Sequence, residues 1–465
     1  MVLVATVILF VVLMVSTKRG RRFVKGWLEQ VPHVNAEPLE VEAGHDETLW
    51  NNEKGSSEQS IREEEQLKLE DEVDICYFIQ IDGKAIPLIE RLITKIWHPR
   101  NTYVVHIDWK VDEDDYNHVK SFIEGNEKYQ KNFYFVEREA ITYKGISMLL
   151  NTIAAMTVAL EGNSEWQYFI NLSGADYPLV SPTTLRKLLA RPRVSSDKLN
   201  FVTLFPQKEW TQYSFRIKSQ YWDPAMMGTR DRDAKTRRMR NMKKWPLAPL
   251  RKFVFSKAEA WSMFSRPFVE FIVRSTFAKR MLLAHAHVLS VPEHYFIDVL
   301  YNHPYWRKTI VRDAFRKVVW VHAGKRSGQH PYVLDKGKQM FSYWIYLKET
   351  RSVFARKFSL PESQLMDRID NELSGNVQDI DSTEAETEER KRRAKVFYKR
   401  LAAHFDSLTK NVLKEQEVRW PDTAYPEISL ESEKDAKSQQ QEQQQDEAPN
   451  KAQQHTLIEV QEDGE

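Results

Sequence analysis

Two carboxylates in this chain stand where chemistry could be done. Asp176 lies in YFINLSGADYP (168–178), just past an apolar run, and Glu293 opens PEHYFIDVLYN (292–302). The first segment predicts a buried strand over 168–172 that runs into a turn of small residues. The second predicts a helix whose first turn presents Glu293. A strand end and a helix start that each carry a carboxylate are how an α/β enzyme lines a cleft. A carboxylate so placed can take the proton from an attacking hydroxyl. Spacing alone favours a plainer role: Ser290, Pro292 and Glu293 fit a capping box, with Ser290 as N-cap.

The elements that would position these residues alternate in type. Residues 75–81 predict a strand, and 85–97 a helix with Ile86, Ile89, Leu92, Ile93 and Ile96 at helical spacing, stopped by His98-Pro99. Strand 103–107 follows and ends at Asp108, then strand 133–136, helix 145–160 and strand 168–172. Such alternation predicts an α/β domain with a mostly parallel central sheet and ligands at the carboxyl ends of its strands. The early strands end in Ile81-Asp82-Gly83 and Asp108-Trp109-Lys110. A carboxylate there suits the N–H and hydroxyl donors of a nucleoside; capping its own loop is the alternative for Asp108. There is no GxGxxG after the first strand and no Walker loop, which argues against dinucleotide oxidoreductases and P-loop NTPases.

With 465 residues and 42% hydrophobic content the chain can bury a large core, and its formal net charge of +2 gives no general attraction for nucleic acid. Cys76 is the single cysteine, so no intramolecular disulfide or Cys-based zinc site can form; inside ICYFIQI it reads as a buried strand residue. Residues 1–16 are apolar apart from Thr6 and Ser16, and Lys18, Arg19, Arg21 and Arg22 follow. Fifteen helical residues reach about 22 Å, short of a hydrocarbon core of about 30 Å. An uncleaved anchor is the preferred reading, against a cleaved signal peptide or an anchor lacking upstream residues. The flanking charge would by itself hold the rest of the chain in the cytosol. Residues 17–72 read as a hydrophilic stalk, 74–408 as the folded catalytic unit with a surface helix near 384–405, and 431–465 as a disordered Gln/Glu-rich tail.

Taken together and in this order, the segments resemble the core-2/I-branching β-1,6-N-acetylglucosaminyltransferases and their relatives, the peptide xylosyltransferases and plant glucuronosyltransferases. ERLITKIWHPRNTYVVHID is similar to that family's first βαβ unit, WSMFSRPFVEFIV (261–273) to a strand and helix on its acceptor side, and QHPYVLDKGKQMF with FARKF to its C-terminal part. The resemblance implies a GT-A-like domain, a UDP-sugar donor, a glycan or glycoprotein acceptor, and a Golgi membrane protein with a lumenal catalytic domain. It implies donor contacts from Ile81, Asp82, Gly83, Asp108, Trp109, Lys110 and Tyr143, and a diphosphate site at Lys357 beside Arg356. Lys325 and Arg326 are further candidates. Asp176 and Arg216 would face the acceptor.

Glu293 is the implied base, although an ungapped match to the N-acetylglucosaminyltransferases sets His294 opposite it. A departing diphosphate needs a metal or fixed cations. Asp112-Glu-Asp114 and Asp231-Arg-Asp233 read as solvated loop charge rather than ligands, so no metal and no other cofactor is expected. N-acetylglucosamine is the first choice of donor sugar, ahead of xylose and glucuronate. A non-catalytic glycan-binding relative, in which Glu293 is only a cap, and a membrane-tethered scaffold are the alternatives from other classes. Asn171-Leu-Ser173 is a formal glycosylation sequon at the end of a predicted buried strand.

Overall fold

The computed structural model describes residues 73–162, 165–205, 215–228, 230, 237–238, 254–320, 330–337, 340–374 and 384–415. The expected anchor (1–16), stalk (17–72) and tail (431–465) lie outside the described residues. Among the described residues no helix is long and apolar enough to cross a membrane.

The chain opens as its periodicity predicts. Strand β1 (Ile75–Ile81) is followed by helix α1 (Ile86–Ile96), whose inward face is Ile86, Leu88, Ile89, Leu92, Ile93 and Ile96. Burying each such side chain contributes about 1.5–3 kcal/mol. The helix ends at Trp97 in extended backbone, because His98 precedes Pro99 and is sterically barred from continuing the turn. Strand β2 (Thr102–Ile107), helix α2 (Glu113–Glu124), strand β3 (Phe133–Phe135), helix α3 (Ile146–Gly162) and strand β4 (Tyr168–Ser173) complete the first half.

Then come β5 (Asp176–Pro178), α4 (Pro182–Leu189), α5 (Pro192–Ser196), β6 (Asn200–Phe205), the single turn α6 (Phe215–Lys218), β7 (Tyr221–Trp222), β8 (Arg237–Arg238) and β9 (Lys257–Ser265). Helices α7 (Arg266–Arg274) and α8 (Thr276–Ala284) lead to the 3-10 turn Val291–Glu293 and to α9 (Tyr295–Asn302). Strands β10 (Ile310–Val311) and β11 (Arg316–Val318), helix α10 (Met340–Lys348), strand β12 (Phe354–Arg356), α11 (Gln364–Ile369) and α12 (Glu384–Glu415) follow.

The main sheet has seven strands in the order β10-β6-β9-β4-β1-β2-β3. All its pairings are parallel except the two made by β9, which runs against β4 and β6. The mostly parallel sheet is therefore as expected. Both faces are covered, so β1 reads as a continuous apolar run rather than an alternating one. Tyr77 and Ile79 point into the core shared with α1, α4, α11 and α12, while Cys76 and Phe78 point into the core shared with α3, α7, α8 and α9. Cys76 is fully buried, and burial pushes its thiol far up, as befits a packing residue. A small sheet of order β11-β12-β5 stands beside the main one.

Two expectations change. The helix read over 384–405 continues to Glu415; it buries Phe397, Leu401, Ala402 and Phe405 but leaves Val396 outside. The segment beginning at Pro292 is not one helix, since Glu293 closes a separate 3-10 turn before α9 starts at Tyr295.

Candidate active site

Glu293 is held by its backbone rather than by a cap. Ser290 adopts left-handed backbone (φ 56°), its side chain caps nothing, and its carbonyl accepts the Glu293 N–H at 2.8 Å. The capping box is thus overturned: a left-handed Ser290 cannot aim its hydroxyl along the helix. The Ser290 N–H in turn donates to the carbonyl of Lys144 at 2.8 Å, tying this turn to the loop before α3. His294, the alternative for the base, is buried with Nδ1 2.8 Å from the Ser256 carbonyl. Burial, with Arg216 nearby, pushes that imidazole down to about 3. A neutral ring facing the core cannot meet a substrate, whereas the Glu293 side chain keeps 25% of its surface open.

Two cations meet Glu293 on the same oxygen. Arg216 Nη1 stands 2.7 Å from Oε2 and Lys257 Nζ 3.2 Å from it. No described residue donates a hydrogen bond to Oε1. Burial raises the carboxyl pKa, but Arg216 and Lys257 outweigh it and hold the group below its ordinary range. The carboxylate is therefore ionised, with one oxygen anchored and the other able to take a proton. Arg216, expected on the acceptor side, is 8% exposed and neutralises Glu293, because a desolvated carboxylate needs a partner.

Asp176 is likewise corrected. Its carboxylate is closed off, with Oδ1 2.7 Å from Arg316 Nη1 and Oδ2 accepting from the Ser173 N–H at 2.7 Å, the Ser173 hydroxyl at 2.9 Å and Arg356 Nη1 at 3.3 Å. Both guanidiniums also lie over the Trp261 ring, at 5.0 and 4.1 Å. Asp176 thus fixes Arg356 and has no free oxygen for an acceptor.

Next to Arg356 comes Lys357. Burial and the charges of Arg356 and Lys84 lower its amine pKa, with Asp82 pulling the other way. The turn after β1 and the end of β12 therefore converge. His330 joins them: burial, then Lys357, Lys144 and Lys84, push its imidazole down, and its ring lies 5.6 Å from that of Tyr143. Tyr143 is 53% exposed rather than packed under α3. Burial and the Glu293 charge raise its phenol, while Arg216 and Arg356 oppose them. Tyr143 accordingly sits within electrostatic reach of both the Glu293 carboxylate and Arg356.

The remaining strand-end residues divide. Asp82 and Gly83 are exposed, and a side chain added at Gly83 would meet nothing within 4 Å. Ile81 is buried with its carbonyl taken by the Asp108 N–H at 2.9 Å, so it offers no free group, contrary to expectation. Asp108 closes its own loop, accepting the Lys110 N–H at 3.0 Å with Lys110 Nζ at 3.3 Å. Trp109 has Arg138 and Arg230 over its ring at 4.9 and 4.7 Å. Asp112 accepts the Asp115 N–H at 2.9 Å as N-cap of α2, with Glu113 and Asp114 in the first turn. Asp231, Asp233, Lys325 and Arg326 lie outside the described residues. On β4, the Asn171 amide of the sequon donates to the Ala260 carbonyl and accepts the Ser262 N–H inside the sheet.

Sequence reading missed Lys257, Glu259, Arg316 and Lys84. A usable signal existed for the first two: Lys257, Glu259 and Trp261 alternate with alanines, which puts all three on one face of β9.

Comparison with known proteins now bears on this cleft. The sequence profile of the family described as "Core-2/I-Branching enzyme" matches residues 75–341. This chain belongs to the core-2/I-branching enzyme family. Among its relatives, Beta-glucuronosyltransferase GlcAT14A of Arabidopsis thaliana is 30% identical over 298 residues, covering 63% of this chain and 62% of the relative. A human protein named "Probable beta-1,3-galactosyl-O-glycosyl-glycoprotein beta-1,6-N-acetylglucosaminyltransferase 7" is 23% identical, covering 62% and 65%. Xylosyltransferase 1 of Rattus norvegicus is 24% identical, covering 65% of this chain and 36% of its own. The match spans less than two thirds of each of these relatives. Among solved structures, the apo form of the WbbM bifunctional glycosyltransferase superposes at TM-score 0.34 and 10% identity, covering 69% and 52%. In this member of the core-2/I-branching enzyme family the α/β class rests on the strand order itself, and the profile match takes in the Glu293 turn and β9 but stops before β12.

Proposed function

We propose that this chain is an inverting glycosyltransferase that moves a sugar from a UDP-sugar to a hydroxyl of a glycan or glycoprotein. The observation that carries this reading is an ionised Glu293, open on Oε1, with Tyr143 within electrostatic reach of both it and Arg356, the neighbour of Lys357. In the proposed step the acceptor oxygen attacks the anomeric carbon and its proton passes to Glu293. The carbon–oxygen bond to the diphosphate breaks, and UDP leaves carrying the electron pair. Lys357, Arg356 and Lys84 would meet that growing charge, so no metal is required. Asp82 and Tyr143 would border the donor.

For the donor sugar, relatives named glucuronosyltransferases at 30% and 29% identity support glucuronate ahead of N-acetylglucosamine, which reverses the order taken from sequence. The surplus of cations over carboxylates around Glu293 and Lys357 suits an acidic sugar as well as a diphosphate. We further propose residence at the Golgi membrane through residues 1–16 with the catalytic part lumenal. Protection of the folded region from added protease in sealed vesicles, and its loss on detergent, would support that placement.

The decisive experiment is a UDP-release assay on the full chain with UDP-glucuronate, UDP-N-acetylglucosamine and UDP-xylose, each with and without a galactose-containing acceptor. Acceptor-dependent release is the expected result. Release with none of the three, from protein that binds UDP, would move the chain to the non-catalytic glycan-binding alternative.

A further inference from the structure

Behind Lys257 lies a buried polar chain that the transfer step as described does not use. His285 and Asp298 are both fully buried, His285 at the end of α8 and Asp298 within α9. His285 Nδ1 is 2.7 Å from the Met281 carbonyl and so must carry its hydrogen, since a carbonyl only accepts. Its Nε2 is 2.8 Å from Asp298 Oδ2, a contact that needs one more proton on one of the two groups. The pair is thus neutral overall, as an acid beside an imidazole or as an ion pair. Burial pushes the Asp298 carboxyl up to about 6, with His285 and Ser256 opposing it.

The other oxygen of Asp298 accepts the Ser256 N–H at 2.6 Å, and the Ser256 carbonyl takes His294 Nδ1 at 2.8 Å. Ser256 is therefore gripped from both sides of its backbone. It immediately precedes Lys257, and His294 immediately follows Glu293. The two residues of the Lys257–Glu293 contact are each one bond away from the two ends of this clamp. Lys257 needs such support: its stem is buried, and burial disfavours its charge, with Glu293 alone not fully offsetting the loss. An unclamped ammonium would turn toward water.

We propose that Asp298 is a positioning residue for the base, fixing Lys257 against Glu293 through the Ser256 backbone. The inference rests on the reading of Glu293 as the base. Arg216 from α6, Lys257 from β9, Lys144 and Tyr143 from the loop before α3, and the neighbouring His294 are the groups that face Glu293. Of these, Lys257 and His294 are joined to the Asp298 clamp, and Lys257 is the one whose side chain meets the Glu293 carboxylate. Losing the clamp should raise the Glu293 pKa, so that transfer is lost at a higher pH as the solution is acidified.

The test is the pH dependence of kcat/KM for the full chain acting on a UDP-sugar. Lys257→Met and Asp298→Ala should each move the acid limb upward by about one pH unit. The double variant should move it no further than Lys257→Met alone. Asp298→Asn should restore the wild-type limb, because its carboxamide can accept from Ser256 and donate to a neutral His285. Should Asp298→Ala fail to fold, Asp298→Leu keeps the branched shape without the hydrogen bonds and is expected to behave as Ala does. An unmoved limb in Asp298→Ala or Asp298→Leu, additive shifts in the double variant, or an unmoved limb in Lys257→Met would each overturn the proposal. Near-normal transfer by Glu293→Gln would instead remove the base reading beneath it, which keeps the two failures apart.

Discussion

Asp176 and Glu293 are two carboxylates each held by two cations, and they differ in what is left over. Asp176 takes Arg316, Arg356 and two donors from Ser173, has no exposed side-chain surface, and uses both oxygens. Glu293 takes Arg216 and Lys257 on one oxygen and keeps a quarter of its side chain open. The same kind of pairing therefore builds a scaffold in one place and, on the proposed reading, a base in the other. The deciding variable is an unfilled oxygen facing the cleft, not the number of cations.

The comparison can be broken most forcefully at Asp176. Removing one partner of a buried ion pair strands the other, which costs about 3–5 kcal/mol. Asp176→Ala should lose that much stability in chemical denaturation, and UDP binding should fall with it as Arg356 is freed. A stable, active Asp176→Ala would mean that its cations need no counter-charge. At Glu293 the expectation is reversed. Glu293→Gln should stay folded and bind UDP while transfer drops by roughly 10²-fold.

A smaller effect is expected at Lys357, which touches the cleft from the end of β12. Lys357→Ala should weaken UDP binding by about 1–3 kcal/mol, the range for a charge-assisted hydrogen bond, and lower turnover as well. Calorimetric titration of UDP measures the first part, and equal affinities would return Lys357 to the surface. Acid should separate the two carboxylates again. The Glu293 pKa lies below its ordinary value of 4.5, and the base works when ionised. Transfer should therefore be insensitive to carboxyl titration above pH 4.5 and fall below it, and a wild-type acid limb well above that value would contradict the assigned base. The smallest expected change is none: transfer should persist in EDTA, and loss restored by Mn²⁺ would show that a metal carries the diphosphate.

What was legible in the sequence follows from the range of the interactions. The run from β1 to β4 declared itself because each element is specified locally, by β-branched runs, by leucine and isoleucine at helical spacing, and by the stop at His98-Pro99. Glu293 was legible through its neighbours, Pro292 and the aromatic pair after it. Its cations were not. Arg216 and Lys257 lie 77 and 36 residues away in sequence, and only the fold brings them together. The same holds for Arg316 with Asp176. Ser290 misled because a serine two residues before a proline matches a helix cap in one dimension, whereas in the fold its backbone is left-handed and its N–H is bonded to the distant Lys144 carbonyl.

Helix α12 carries a further lesson. The family profile match ends at residue 341, yet Phe405 stacks on Phe315 with centroids 3.8 Å apart and lies 5.6 Å from Phe201 of β6. Arg191 and Asp406 pair across the same junction, as do His404 and Asp313. The stretch that the family profile matches and the stretch that must be present for the hydrophobic interior to close are thus different lengths of chain. A cut made where the profile match stops would leave an aromatic wall facing water, and the truncated protein would cluster with its own copies before any question of catalysis could be asked.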